Sequence, residues 1–410
     1  MHDEKILGLQ CRDCGALIPE KDFALSCGKC GAPLRLKFSP DYLRQELAKG
    51  FPAPDSRSFL REWARFLPID DPGVIDTISL GEVETRLLPS LRLGRSLDVP
   101  ALHFKLEIGP TLSLKDRGTA LCVLKAVEMG RNTLCLSSSG NNAASIAAYG
   151  ARAGLRSVVF VQRDVSPAKM AKCQVYGGHV VVVDGDMAAA SALCAEMVSS
   201  RGWFQCGGPN PYRVAGKRMF AYGIVRQLGR APDTVLIPCG GGAGMVAAWD
   251  GFSELYEAGV IKTMPRLVGV QLEACNPTAT AFAQGKETVT PVVKKPSLSD
   301  AIMNNNPCWG TYCLQAVRQT GGTFISVSDA EFIKAIKDLA AMEGIYAEPA
   351  GAVSVAALAK LRAAGFGDPG LTVCNITGHG LNFPQATAGD FAIPAPIPAT
   401  VEAVEAFLGA

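Results

Sequence analysis

The sequence predicts an α/β protein made of two open parallel-sheet domains, each sheet sandwiched between helices into three layers, with a small cysteine-bearing segment ahead of them. Three observations carry this. From Thr133 onward, short runs rich in Val, Ile and Leu alternate with helix-length segments, and strands so continuously apolar belong to parallel sheets buried on both faces. Small-residue or glycine-rich turns follow two of these strands and open helices, Ser137 to Ser145 and Cys239 to Gly244, as they do where open parallel sheets bind ligands at their carboxyl ends. Between Cys11 and Cys30 the chain carries two CxxC pairs. A chain of 410 residues, 48% hydrophobic and 19% charged, is long enough for two or three domains.

In order, Cys11-Arg-Asp-Cys14 and Cys27-Gly-Lys-Cys30 each form a knuckle, with Gly15 and Gly31 directly after. Four thiolates from two knuckles close a tetrahedral zinc site, and Leu17, Phe23, Leu25, Leu34 and Leu36 suit the cover of a small ribbon. Iron or redox chemistry and four free thiols are the alternatives. A closed site with ligands Cys11, Cys14, Cys27 and Cys30 leaves no open position for catalysis, so its role is folding. The other ten cysteines sit singly in apolar segments and read as small core residues of a reducing compartment. Met1 to Ile6 has no apolar signal core and no apolar run reaches about 18 residues, so the expected location is cytoplasmic and no membrane is expected as partner. A net charge of +2 gives no basic field for nucleic acid.

The expected boundaries are a zinc-ribbon-like segment at 1–38, helices and the start of the large domain at 39–115, a small α/β domain at 116–210, the large α/β domain at 211–392, and a tail at 393–410. Within 39–67 the pattern is helical, with a turn at Gly50-Phe-Pro-Ala-Pro54 and a break at Pro68-Ile-Asp-Asp-Pro72. Helices are then expected at 119–130, 166–176, 211–228, 249–257, 329–344, 350–364 and 401–408. Short strands and turns are expected at 79–89 and 103–107, and strands at 133–136, 157–161, 179–183, 234–238, 266–271 and 371–376.

The chemistry gathers around Gly109-Pro-Thr-Leu-Ser-Leu-Lys-Asp-Arg-Gly118. Lys115 stands at a helix start, where the helix dipole opposes an ammonium, which suggests a reactive amine able to form a Schiff base with an aldehyde cofactor. Gly240 to Gly244 follow an apolar strand and precede a helix, so successive backbone N–H groups can hold a phosphate without a side-chain cation. Asn141, after Gly140, can donate to a phenolate-like oxygen or cap the following helix. Thr377, at the end of the last strand, offers a hydroxyl to a ring nitrogen. Together these are the parts that hold pyridoxal phosphate.

Pro110-Thr-Leu-Ser-Leu-Lys-Asp-Arg-Gly118, Ser138-Ser-Gly-Asn-Asn-Ala-Ala-Ser145, Asn210-Pro-Tyr-Arg213, Glu348-Pro-Ala350 and Thr377-Gly-His-Gly-Leu381 resemble the threonine synthase branch of the tryptophan synthase β-like (fold type II) pyridoxal-phosphate enzymes. The likeness runs from about Cys11 to Pro384, and the double CxxC also occurs in some members of that branch. The resemblance implies that Lys115 carries the cofactor and later moves protons, that Asn141 bonds its O3′, that Gly240, Gly241, Gly242, Ala243 and Gly244 hold its phosphate, and that Thr377 faces its ring nitrogen. It further implies that Ser138, Ser139 and Asn142 border the substrate.

Arg213 and Lys217, four apart on one helix face, match a segment that lies at the phosphate end of O-phosphohomoserine in threonine synthases. The chain departs from that family at the glycine loop, which lacks the usual asparagines, and at Asn142, where threonine is common. The implied reaction is threonine formation from O-phosphohomoserine and water. β-Replacement on O-phosphoserine, for instance with sulfite as in a cysteate synthase, and serine or threonine dehydration are the alternatives. A zinc-ribbon binding protein with a silent enzyme domain is the rival from another class, and intact Lys115, Asn141 and glycine loop oppose it. The expected partner is a small phosphorylated amino acid, with a possible homodimer. The three asparagines of Asp300-Ala-Ile-Met-Asn-Asn-Asn-Pro-Cys-Trp-Gly310 could bond a polar substrate or cap a helix. Glu348 reads as an acidic helix start and His379 as a loop residue near the ring.

Overall fold

Three sheets organise the chain in a computed structural model, which describes residues 5–365, 367–390 and 393–409. The first is an antiparallel ribbon of β1 (Ile6–Cys11), β2 (Leu17–Ile18) and β3 (Leu34–Phe38) in the order β2-β1-β3. Leu34, Leu36 and Phe38 alternate inward along β3, the period of a half-buried strand. Gly15 and Gly31 take positive φ values of 71° and 74°, which suits glycine in the tight knuckle turns. Cys11 and Cys27 close those turns by donating from their N–H groups to Ala16 and Ala32, both at 2.8 Å.

The remaining strands are β4 (Leu87–Pro89), β5 (Leu102–Leu106), β6 (Thr133–Ser137), β7 (Arg156–Val161), β8 (His179–Val182), β9 (Phe204–Gln205), β10 (Thr234–Pro238), β11 (Arg266–Leu272), β12 (Thr323–Val327) and β13 (Thr372–Ile376). They form a six-stranded sheet, β12-β11-β10-β13-β5-β4, and a four-stranded sheet, β8-β7-β6-β9. All neighbours are parallel except β4, which runs antiparallel to β5 at the edge. Every residue of β10 and β13 is buried, as the Val and Ile runs predict. The valine run of β8 differs: it is an edge strand, and Val182 is 55% exposed.

Helix ends follow local chemistry where it is strong. Asn210 accepts from the N–H groups of Tyr212 and Arg213 to open the helix Pro211–Leu228, and Gly229 ends it at φ 69°. The helix expected from Trp249 begins instead at Ala243, directly on the glycine loop, because Gly242 turns the chain at φ 92°. Residues 59–67 do not form one helix: a four-residue turn Phe59–Glu62 passes into a 3-10 turn Ala64–Phe66. The helices Met187–Arg201, Pro277–Ala283 and Gly310–Gln319, and strand β12, have no counterpart among the expected elements.

Two glycines set the approach that builds the site. A Cβ on Gly118 would lie 2.8 Å from the Arg213 carbonyl oxygen, and one on Gly216 would lie 2.4 Å from that of Arg117. The helices Lys115–Glu128 and Pro211–Leu228 therefore touch backbone to backbone, which side chains larger than hydrogen would prevent. Just behind Lys115, Arg117 is held by Glu107 (2.6 Å) and Glu84 (2.6 Å), and Glu84 also takes Lys105 (2.7 Å). Burial opposes the charge of Glu84, yet the two cations keep its carboxyl well below the usual range. No helix among the described residues is long and apolar enough to cross a membrane.

Candidate active site

The carboxyl ends of three adjacent strands carry three of the predicted segments: β5 leads to Lys115, β13 to Thr377, and β10 to the glycine loop. The lysine segment is fastened to the β13 loop. Ser113 bridges Gly378, Leu114 donates to the Thr377 carbonyl (2.9 Å), and His379 donates to the Leu112 carbonyl (3.0 Å). Leu112 takes φ 61°, an uncommon conformation for leucine that marks a constrained turn. Asp116 holds the same turn, accepting from the Thr111 N–H (2.8 Å), the Thr111 hydroxyl (2.6 Å) and the Ser145 hydroxyl (2.7 Å).

Lys115 is thus the first residue of the helix Lys115–Glu128, and its Nζ has no hydrogen-bond or ion-pair partner among the described residues. Burial and then the Arg213 guanidinium lower its pKa to about 8, against an opposing pull from Glu348. An amine at that value is roughly a tenth neutral at pH 7, where an ordinary lysine is almost wholly charged. Cofactor-free protein should therefore condense with pyridoxal phosphate roughly fivefold faster at pH 8 than at pH 7 and level off about one unit higher. Arg213→Ala should move that profile to higher pH; stopped-flow absorbance against pH reads both.

Asn141 opens the helix Asn141–Arg152 and gives its amide to the Glu348 carboxylate (2.8 Å), which also accepts from the Thr377 hydroxyl (3.4 Å). Glu348 is 4% exposed, and burial raises its pKa. It does occupy the N-cap of the helix Pro349–Ala363, but its side chain makes no capping bond. The acidic-helix-start account is therefore insufficient: Glu348 is a site residue that sequence reasoning missed. Gly378, next to Thr377, makes room for it, since a Cβ there would meet the carboxyl at 2.5 Å.

At the glycine loop, no N–H from Gly240 through Met245 finds an acceptor among the described residues. Consecutive free donors at a helix N-terminus make an anion cup. The loop is backed by a second segment. A Cβ on Gly240 would lie 2.9 Å from Ile302 Cα, one on Gly242 would lie 2.8 Å from Trp309 Cβ, and one on Gly241 would lie 3.3 Å from the Asn304 amide nitrogen. Of the three asparagines, Asn304 is the one brought to the cup, while Asn306 is exposed. His379 accepts at Nδ1 from the Leu381 N–H (3.1 Å) and caps a short turn, the behaviour of a loop residue.

Across the site, Arg213 donates to the Asn142 side-chain oxygen (2.5 Å) and the Cys206 carbonyl (3.4 Å), while its buried Nε has no partner. Lys217, 5% exposed, has no hydrogen-bond or ion-pair partner among the described residues. Burial, then Arg213 and Lys115, push its pKa well down. An anion within reach of both cations would offset the cost of packing them together in this way. Ser138 bonds back into its loop, with its hydroxyl facing the Gly140 N–H (3.4 Å), whereas the N–H groups of Ser139, Asn141 and Asn142 have no acceptor among the described residues. Free donors grouped at a helix start suit a small anion.

The four ribbon thiols lie within 4.8 Å of one another. The Cys14 and Lys29 N–H groups point at Cys11 and Cys27 Sγ, each at 3.4 Å, and the bond from Lys29 helps to hold the Cys27 thiol below its ordinary value. That donor set suits a tetrahedral thiolate metal.

Residues 78–378 match the family model described as "Pyridoxal-phosphate dependent enzyme". The threonine synthase of Methanosarcina acetivorans is 33% identical to the chain, over 98% of both sequences. That of Methanocaldococcus jannaschii is 31% identical over 92% of the chain and 93% of its own length, and that of Halalkalibacterium halodurans 34% over 83% and 94%. Among solved structures, maize serine racemase superposes with a TM-score of 0.64 at 18% identity, covering 78% of the chain and 94% of its own, a likeness of fold.

Proposed function

The chain belongs to the pyridoxal-phosphate dependent enzyme family, and from that premise we propose that it forms threonine from O-phosphohomoserine and water, releasing phosphate. The observation that carries the substrate is the buried pair Arg213 and Lys217 beside Lys115, with donors left unpaired. Serine and threonine, the substrates of a dehydratase, bring no phosphate to such a pair. Threonine synthases that match over nearly the whole chain support the same choice.

The residues fit pyridoxal phosphate. Gly240, Gly241, Gly242, Ala243 and Gly244 present free N–H groups for its phosphate, Lys115 is an unpartnered amine, and Asn141 and Thr377 approach one another through Glu348. Bound there, the cofactor supplies an electron sink for the substrate's α-carbon. The protein's part is positional and protonic. The N–H groups of Ser139, Asn141 and Asn142 hold the substrate carboxylate. Arg213 and Lys217 hold its phosphate, and their attraction grows as the C–O bond at Cγ breaks and charge builds on the leaving oxygens. Lys115 Nζ takes the proton from Cα and then one from Cβ, so that the C–O bond at Cγ breaks and phosphate leaves, and it returns a proton to Cγ; its lowered pKa suits both directions near neutral pH. Water then adds its oxygen at Cβ, and a proton returned to Cα completes the product. Four ribbon cysteines, Cys11, Cys14, Cys27 and Cys30, hold a structural zinc ion.

Phosphate release is measured from O-phosphohomoserine and, separately, from O-phosphoserine with and without sulfite, identifying each amino-acid product. Threonine from the first substrate is the expected result. Turnover of O-phosphoserine alone would replace this reading with β-replacement, the reaction that the asparagine-free glycine loop leaves open.

A further inference from the structure

The ribbon's first knuckle reaches the back of the cofactor-phosphate cup. The Arg12 side chain is 4% exposed and pairs with Asp250 (Nη1 to Oδ1, 3.1 Å) on the helix Ala243–Glu257, whose N-terminus is the cup itself. The same guanidinium lies 5.4 Å from the Trp309 ring centroid and 5.8 Å from that of Tyr312. Asp13 accepts from the Tyr312 hydroxyl at 2.8 Å. Trp309, 1% exposed, donates from its backbone N–H to the Gly241 carbonyl (3.3 Å) and blocks the Cβ position of Gly242. Two residues between the metal ligands Cys11 and Cys14 thus touch both the helix that ends in the cup and the segment that backs its glycines.

We propose that Arg12 and Asp13 are positioning residues for the cofactor-phosphate loop, so that the metal knuckle sets the geometry of the cup through Asp250, Trp309 and Tyr312. A guanidinium that lies within about 6 Å of two ring centroids and is bonded to a carboxylate is restrained in orientation, and the free N–H groups of Gly240 to Met245 bind phosphate well only if they converge. The metal fixes the knuckle's backbone, and Arg12 and Asp13 carry that fixity across. The ribbon is then a distant part of the cofactor site. This rests on pyridoxal phosphate occupying the cup.

The test is a cofactor titration of cofactor-free, zinc-containing protein, with the 31P resonance of the bound phosphate and the zinc content read on each sample. Arg12→Met should raise the cofactor Kd about tenfold, the size of a desolvated cation–π contact, and shift the 31P signal with one zinc retained per chain. Tyr312→Phe, which keeps the ring and removes only the hydroxyl, should move both in the same direction by less. Asp13→Asn keeps an acceptor for Tyr312 and should leave both near wild type. Arg12→Met protein whose Kd and 31P signal match those of wild type, whether or not its unfolding midpoint falls, overturns the proposal. Wild-type protein that takes up no cofactor overturns the underlying reading instead.

Discussion

Lys115→Ala should lose the visible absorption band of the cofactor-loaded protein and more than about 10⁴-fold of its turnover, since in the proposed reaction one amine both holds the cofactor and moves protons. The fold should survive, because the Lys115 side chain holds nothing else: its Nζ has no partner among the described residues. Removing an ammonium that burial and Arg213 already disfavour relieves a cost instead of breaking a bond. The unfolding midpoint should therefore hold or rise while the spectrum is lost. Small primary amines added to the variant should restore part of the turnover. A variant that keeps both band and rate would remove Lys115 from the chemistry.

Arg213→Ala should act on the substrate's far end. Taking away one member of a buried charge cluster that meets an anion costs about 2–5 kcal/mol, or roughly 30- to 4,000-fold in kcat/KM for the phosphorylated substrate. Cofactor affinity should change far less, because the cup presents backbone N–H groups from Gly240 to Met245, whereas Arg213 makes its bonds to Asn142 and Cys206. An O-acetyl substrate lacking the dianion should be much less affected. Equal losses for both substrates would mean that Arg213 supports the cofactor or the fold and not the phosphate.

Much of the arrangement was legible because its signals are local. The helix Pro211–Leu228 and strand β10 fall where they were read, for the one is bounded by an asparagine cap and a glycine stop and the other by a charged turn and the glycine loop. The helix Met187–Arg201 was not read, and its composition explains why. A run of Ala, Ser, Met and Cys with two of its residues buried shows no clear face of either period. The role of Glu348 is hidden in the sequence for a different reason. Its position beside a proline is what a helix start demands, and the bonds that turn it toward Asn141 and Thr377 come from residues far away in the chain. The same holds for Glu84, Lys105, Glu107 and Arg117: four charges that look solvated in sequence neutralise one another only once β5 and the helix after Lys115 are in place. Local chemistry names single residues, whereas the partnership among them belongs to topology.

That topology also dictates a timetable. β5 pairs along its length with β13, from Leu102 opposite Thr372 to Leu106 opposite Ile376, and the turn that presents Lys115 is fastened to the loop just beyond. At about 5–20 residues per second of synthesis, roughly 13 to 50 s separate the emergence of Lys115 from that of Thr377. During that interval the reactive lysine has left the ribosome without its partner loop. Capture of the aldehyde at a completed site therefore waits for β13, and nascent chains stalled before β13 should carry no cofactor even when their ribbon is complete.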